Sequence, residues 1–121
     1  MFSVHKEYDI LAIPFSSQAR GFFARLQKQQ VDSFFTPRVL KKNNYYTPSN
    51  LRLFKYLRAL SLDLNMTISE LVLAYMFSQP IPVVPVFASR TLHQLTESLQ
   101  ASTRHLSAEI MTKICTIKDQ D

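Results

Sequence analysis

Residues 79–99 read QPIPVVPVFASRTLHQLTESL, and the way this stretch folds decides how the rest of the chain must be arranged. Val83, Val84 and Val86 are β-branched and lie in a short apolar run, which predicts a buried strand over Val83 to Phe87. Pro82 and Pro85 remove ladder donors from it. A polar turn, Ala88-Ser89-Arg90, leads into a helix opening at Thr91, where Thr91 and Gln94 have capping-box spacing. Leu95 and Leu99 are expected to face inward. A strand ending in Ser-Arg-Thr and passing straight into a helix aims hydroxyls, a guanidinium and unpaired backbone N–H groups at one point. That point suits a phosphate, because the helix start carries the positive end of the dipole. The plainer alternative is that Thr91 caps a surface helix and Arg90 is solvated.

The same design occurs once more, near the beginning. Tyr8 to Phe15 (YDILAIPF) is a compact apolar run whose Ile10-Leu11-Ala12-Ile13 core does not alternate, so it predicts a strand from Ile10 to Phe15 buried on both faces, as in a parallel sheet. Ser16-Ser17-Gln18-Ala19-Arg20-Gly21 follows at its exit. Polar groups at the same edge of a parallel sheet are where α/β proteins place their ligands.

Between the two strands the pattern first weakens, with no sustained period, and then turns helical from Thr47 on. Residues 22–47 read as a long excursion with one short helix around Phe22 to Gln30, and Phe34, Phe35, Tyr45 and Tyr46 predict that parts of it pack down. Thr47-Pro48 opens a helix as N-cap and first helical residue, with Leu53, Leu57, Leu60 and Leu64 as its buried stripe and Arg52, Lys55 and Arg58 on a solvated face. Thr67 and Glu70 form a capping box for a largely buried helix that ends at Pro80. A last helix, capped by Ser107, is expected to bury Ile110, Ile114 and Ile117. The order strand, excursion, two helices, strand, two helices calls for an α/β chain with helices packed outside a parallel sheet. Two strands are not a finished sheet, so the missing partners are expected from elsewhere.

Composition narrows the classes. The chain has 121 residues, 46% hydrophobic and 19% charged, a globular balance large enough for a real core. Its one glycine, Gly21, is few for a complete, loop-rich enzyme. The +5 charge permits an anionic partner, yet the basic residues are dispersed like solvated helix faces, and no nucleic-acid partner is expected. One cysteine, Cys115, excludes an internal disulfide framework and a Cys-based zinc site. No apolar run approaches a membrane span and no signal-peptide pattern opens the chain, so the expected setting is soluble, reducing and cytoplasmic.

YDILAIPFSSQARGFF, ALSLDLNMTISELVLAYMFSQPIPVVPVFASRTLHQLTESLQA and LSAEIM resemble, in order, the C-terminal third of aldo-keto reductases. The resemblance covers about Tyr8 to Met111 and is weakest over Leu26 to Tyr46. Its most specific block is SQP, a Val-rich strand, then Ser-Arg-Thr and Gln-Leu-x-Glu. It implies a partial (β/α)8 barrel, with residues 1–121 an incomplete domain holding the seventh and eighth strands, and a family that reduces carbonyls with NADP(H). By this resemblance Phe15 takes the place of the ring that stacks on the nicotinamide, and a phenyl keeps that surface. Ser16, Gln18 and Arg20 fall along the pyrophosphate. Ser89, Arg90 and Thr91, with Gln94, fall at the 2′-phosphate and ribose. Glu97 and Ser98 fall at the adenine, Ser98 standing where Asn is common. Ala88 stands where one branch has Lys, leaving the 2′-phosphate to Arg90.

The family's catalytic Asp, Tyr, Lys and His belong to the first four strands, and no residue here corresponds to them. Tyr45, Tyr46, Tyr75, His5, His93 and His105 do not match the motif. The resemblance therefore implies part of a cofactor cleft without the reducing chemistry, an isolated chain that is inactive, and a second chain as the source of the missing strands. Two other classes stay open. One is a non-catalytic interaction module or a non-functional truncated product. The other is a helix-turn-helix DNA-binding protein built on ALSLDLNMTISELVLAYM, although its recognition helix, Ser69 to Ser78, has no Lys or Arg to read bases.

Overall fold

The computed structural model describes residues 2–29 and 45–119. These form six α-helices and one short 3-10 turn. Helix α1 is Phe2–Glu7, the 3-10 turn is Ala19–Gly21 and α2 is Phe22–Gln29. Further along come α3 (Pro48–Asp63), α4 (Ile68–Phe77), α5 (Leu92–Ala101) and α6 (Ala108–Lys118).

The helix starts follow from local chemistry. Thr47 Oγ1 accepts from the Asn50 N–H at 3.1 Å, ahead of Pro48. Thr67 and Glu70 make the full reciprocal box, with Glu70 N–H to Thr67 Oγ1 at 3.1 Å and Thr67 N–H to Glu70 Oε2 at 2.7 Å. Ser107 Oγ caps α6 by accepting from Ile110 N–H. Each cap removes an orphan donor and is worth about 1 kcal/mol. Between α3 and α4 the axes turn through 98°, over a turn in which Asn65 takes a left-handed φ of 49°, a conformation asparagine tolerates.

Helix α4 is the hub. It packs against α2, α3 and α5, while α3 also packs against α6. Ile68, Leu71, Leu73 and Ala74 are wholly buried, as expected for a helix apolar around most of its circumference. They share one core with Leu53, Phe54, Leu57 and Leu60 of α3, Phe22 and Phe23 of α2, and Ile114 of α6, apart from Leu73, which is buried outside that cluster. The expected α3 stripe is present, with Leu64 partly buried, and Ile110 and Ile117 pack at the margin of the core. Two buried or half-buried serines tie the layers together. Ser49 Oγ donates to the Lys118 carbonyl at 3.2 Å, joining the start of α3 to the end of α6. Ser78 Oγ accepts from Leu106 N–H at 2.8 Å, joining the end of α4 to the loop before α6.

Three expectations are corrected. Among the described residues the two anticipated strands make one parallel bridge, Ala12 to Val83, and no continuous ladder. Proline is the physical reason: Pro14, Pro82 and Pro85 remove donors from runs only a few residues long, and a pair without further strands has little to hold it flat. Nor is the first segment buried on both faces, since Leu11, Ile13 and Phe15 are exposed, as are Val84 and Val86 of the second. Leu95 and Leu99 do not turn inward either. Helix α5 packs on α4 with Ser98 and Ala101 as its buried residues, and Leu92, Leu95 and Leu99 are left exposed. Helix α1 occupies residues for which the sequence carried no expectation, and His5 Nδ1 lies 2.8 Å from the Ile10 carbonyl. Of the predicted excursion over 22–47, the short helix forms as α2 and Tyr45 packs on Phe22 with ring centroids 6.0 Å apart. Phe34 and Phe35 lie outside the described residues.

Two tyrosines have raised pKa values. Burial lifts Tyr75 first, followed by Cys115, whose Sγ lies 4.0 Å from its hydroxyl. Burial also lifts Tyr56, and Glu109 and Asp63 add to it. A raised folded pKa means the folded state holds the proton more tightly, so this stabilisation is complete below the unfolded tyrosine value of about 10 and is lost as pH rises through the folded one. Thermal melts between neutral pH and pH ~11 should show a smaller alkaline loss of stability in Tyr75→Phe than in the wild type, and equal losses would contradict the assignment.

Candidate functional site

The parallel bridge fixes where the candidate residues go. Ala12 N–H donates to the Pro82 carbonyl at 3.0 Å and Val84 N–H donates to the Ala12 carbonyl at 2.9 Å. Because the segments run in the same direction, their polar exits, Phe15 to Gly21 and Ala88 to Thr91, leave from the same end of the pair. The bridge thus sets at one edge two clusters separated by some seventy residues of sequence.

The first exit is a tightly wound turn. Ser17 is buried, and its Oγ donates to the Pro14 carbonyl at 2.9 Å. Ala19 N–H donates to Ser16 O and Gly21 N–H to Gln18 O, each at 2.8 Å. Ser16, Ala19, Arg20 and Gly21 all take left-handed φ, at 59°, 49°, 53° and 73°. For the three residues with a Cβ this is strained backbone. The Arg25 guanidinium, one turn along α2, donates to the carbonyls of Arg20 and Gly21 and holds the turn shut. Phe15 stands at the front with 85% of its surface exposed. Arg20 is exposed, and Ser16 and Gln18 are half-buried.

The second exit is a helix start. Thr91 Oγ1 accepts from Gln94 N–H at 3.2 Å, and Gln94 Oε1 accepts from Arg90 N–H at 2.9 Å. The expected capping box is therefore reciprocal with a shift of one residue: Gln94 fastens the backbone of Arg90 rather than that of Thr91. Arg90 and Thr91 are exposed and Ser89 is half-buried. Glu97 lies further along α5, six residues or about 9 Å of helix from Thr91. Ser98, by contrast, is only 4% exposed and belongs to the contact with α4.

Of the ten candidate residues, Phe15, Ser16, Gln18, Arg20, Ser89, Arg90, Thr91 and Gln94 sit on the two exits, Glu97 is displaced along the helix, and Ser98 faces the core. Sequence reasoning missed Ser17 and Arg25. Their sequence signal was slight: a second serine in a polar run, and an arginine that reads as one of many solvated bases. The His93 and His105 side chains are exposed, and α4, the would-be recognition helix, is occupied in the core along Ile68, Leu71 and Ala74.

Both polar exits thus leave the parallel pair at one end, the end at which α/β proteins carry their ligands. The chain belongs to the aldo/keto reductase family, whose profile matches residues 1–119. That is a family of oxidoreductases built on a (β/α)8 barrel, and its members generally use NADP(H). No curated protein matches the chain. No single helix among the described residues is long and apolar enough to cross a membrane.

The clamp on the first exit is testable. Replacing Arg25 with Ala should speed hydrogen exchange at the amides of Ala19 and Gly21 by about tenfold, the effect of a contact worth roughly 1.4 kcal/mol. Exchange at Leu71, deep in α4, should be unchanged.

Proposed function

We propose that this chain is a C-terminal segment of an NADP(H)-dependent aldo/keto reductase that carries part of the cofactor cleft and none of the catalytic Asp, Tyr, Lys and His. The reading is supported chiefly by the Ala12–Val83 bridge, which sends both polar exits off one end in a chain of this family. The residues present fit a phosphorylated dinucleotide. An exposed guanidinium, two hydroxyls and the unpaired N–H groups of a helix start suit a phosphate dianion, and an exposed ring at the other exit offers a stacking surface.

On this reading Phe15 orients the nicotinamide, and Ser16, Gln18 and Arg20 line the pyrophosphate. Arg90 holds the 2′-phosphate between the hydroxyls of Ser89 and Thr91. Gln94 acts through Arg90, since its carboxamide is already committed to that backbone N–H. Glu97 reaches toward the adenine, and Ser98, buried against α4, has no part. When bound, the cofactor supplies the hydride delivered to a carbonyl carbon. A separate chain supplying the missing strands would bring the proton donor and the carbonyl substrate site, with the whole acting in the cytoplasm. The open apolar face beside Phe15 favours a second reading, a non-catalytic interaction module.

Calorimetric titration with NADPH is the test. Binding should weaken about tenfold or more in Arg90→Ala, the loss of one charge-assisted contact, and NADH should bind the wild type about as weakly as NADPH binds the variant. Equal affinities, or no heat from a folded chain, would leave the interaction-module reading. Carbonyl-dependent NADPH oxidation by the chain alone would contradict the absence of catalytic residues.

A further inference from the structure

The turn at the first exit is strained, and it is fastened at both ends. Ser16, Ala19 and Arg20 hold left-handed φ without the freedom of glycine, and such backbone persists only where its surroundings over-determine it. Local bonds fix the front, from Ser17 Oγ to the Pro14 carbonyl and from Ala19 N–H to the Ser16 carbonyl. At the rear the carbonyls of Arg20 and Gly21 both accept from Arg25, through Nη2 and Nε respectively. Arg25 stands on a firm base. It belongs to α2, whose Phe22 and Phe23 are buried in the core with their rings edge to face, centroids 5.1 Å apart, so the guanidinium is anchored to the core and not to the turn. Gly21 is not there to make room for it. A Cβ at Gly21 would meet Arg25 Nε at an ordinary 3.8 Å, so the glycine serves the φ of 73° and the arginine serves the carbonyls.

We infer that Arg25 is a positioning residue for the pyrophosphate half of the cofactor, an assignment that rests on the cleft reading above. The groups proposed to line the pyrophosphate are Ser16, Gln18 and Arg20, and Arg25 acts on them through their backbone. Its bond to the Arg20 carbonyl fixes the peptide from which the Arg20 guanidinium extends. The residue type suits this work. A guanidinium is a rigid planar fork that reaches two acceptors at once, whereas an ammonium is a single flexible head. The same bonds aim two carbonyl dipoles at a cation instead of leaving them open at an edge that is to receive an anion. Without the clamp the strained run relaxes in part of the population. Only the closed fraction meets the pyrophosphate, so the apparent affinity falls with that fraction. The Arg90 exit has its own fastening in Gln94 and does not depend on Arg25.

Calorimetric titration of the full chain with NADPH and with adenosine 2′-monophosphate separates the two exits, because the second ligand has the 2′-phosphate and no pyrophosphate. Arg25→Ala should bind NADPH about three- to tenfold more weakly and adenosine 2′-monophosphate as the wild type does. Arg90→Ala should weaken both. Arg25→Lys keeps the charge and loses the fork, and should lose NADPH affinity as Arg25→Ala does. Unchanged NADPH affinity in Arg25→Ala would overturn the inference and leave the cofactor reading standing. Full rescue by Arg25→Lys, which would make the effect one of charge, would do the same, as would equal weakening of both ligands in Arg25→Ala, which would mark a general loss of structure. A folded wild-type chain that binds neither ligand would overturn the cofactor reading and the inference with it.

Discussion

Two backbone hydrogen bonds, both made by Ala12, are the constraint on which the functional account depends. Among the described residues they are the only backbone pairing between residues 10–15 and the segment that precedes α5, and they set the two segments parallel. The direction matters more than the strength. Were the segments antiparallel, Phe15 to Arg20 and Ser89 to Thr91 would leave from opposite ends, and no dinucleotide could be met by both. With the direction fixed, two local devices finish each exit: Arg25 clasps the carbonyls of a left-handed turn, and Gln94 clasps the N–H of Arg90.

The helices make that small pairing possible. A parallel pair of this length has no stability of its own, whereas α4, surrounded by α2, α3 and α5, supplies a core that does. Helix α5 is held to α4 by small residues, and its N-terminal end carries the Arg90 exit. Consequently a change in the α4–α5 contact would be felt at the site even though none of its residues touches a ligand.

What was legible in the sequence was what neighbouring residues decide. Thr47-Pro48, Thr67 with Glu70 and Ser107 announce their helices because each cap is satisfied within four residues. The parallel direction was also legible, through two buried-looking runs separated by helices. The extent of the strands was not, because ladders need neighbours on both sides and proline at three positions removes donors. Nor was the inward face of α5. Leu92, Leu95 and Leu99 have amphipathic spacing, yet the helix that packs on α4 buries Ser98 and Ala101, because the buried face is decided by tertiary packing and not by α5 alone. This is what moved Ser98 from the candidate site into the core. Ser17 and Arg25 were hidden for a related reason: their partners are backbone carbonyls, which leave no mark in a sequence.

In the proposed cofactor cleft, the bridge makes one site out of two distant exits. Amide chemical shifts of the chain during titration with NADPH test this directly. Residues Phe15 to Gly21 and Ser89 to Gln94 should shift together, on a single saturation curve, with α6 unmoved. Shifts confined to one exit, two curves with different midpoints, or a spectrum that does not respond would contradict it.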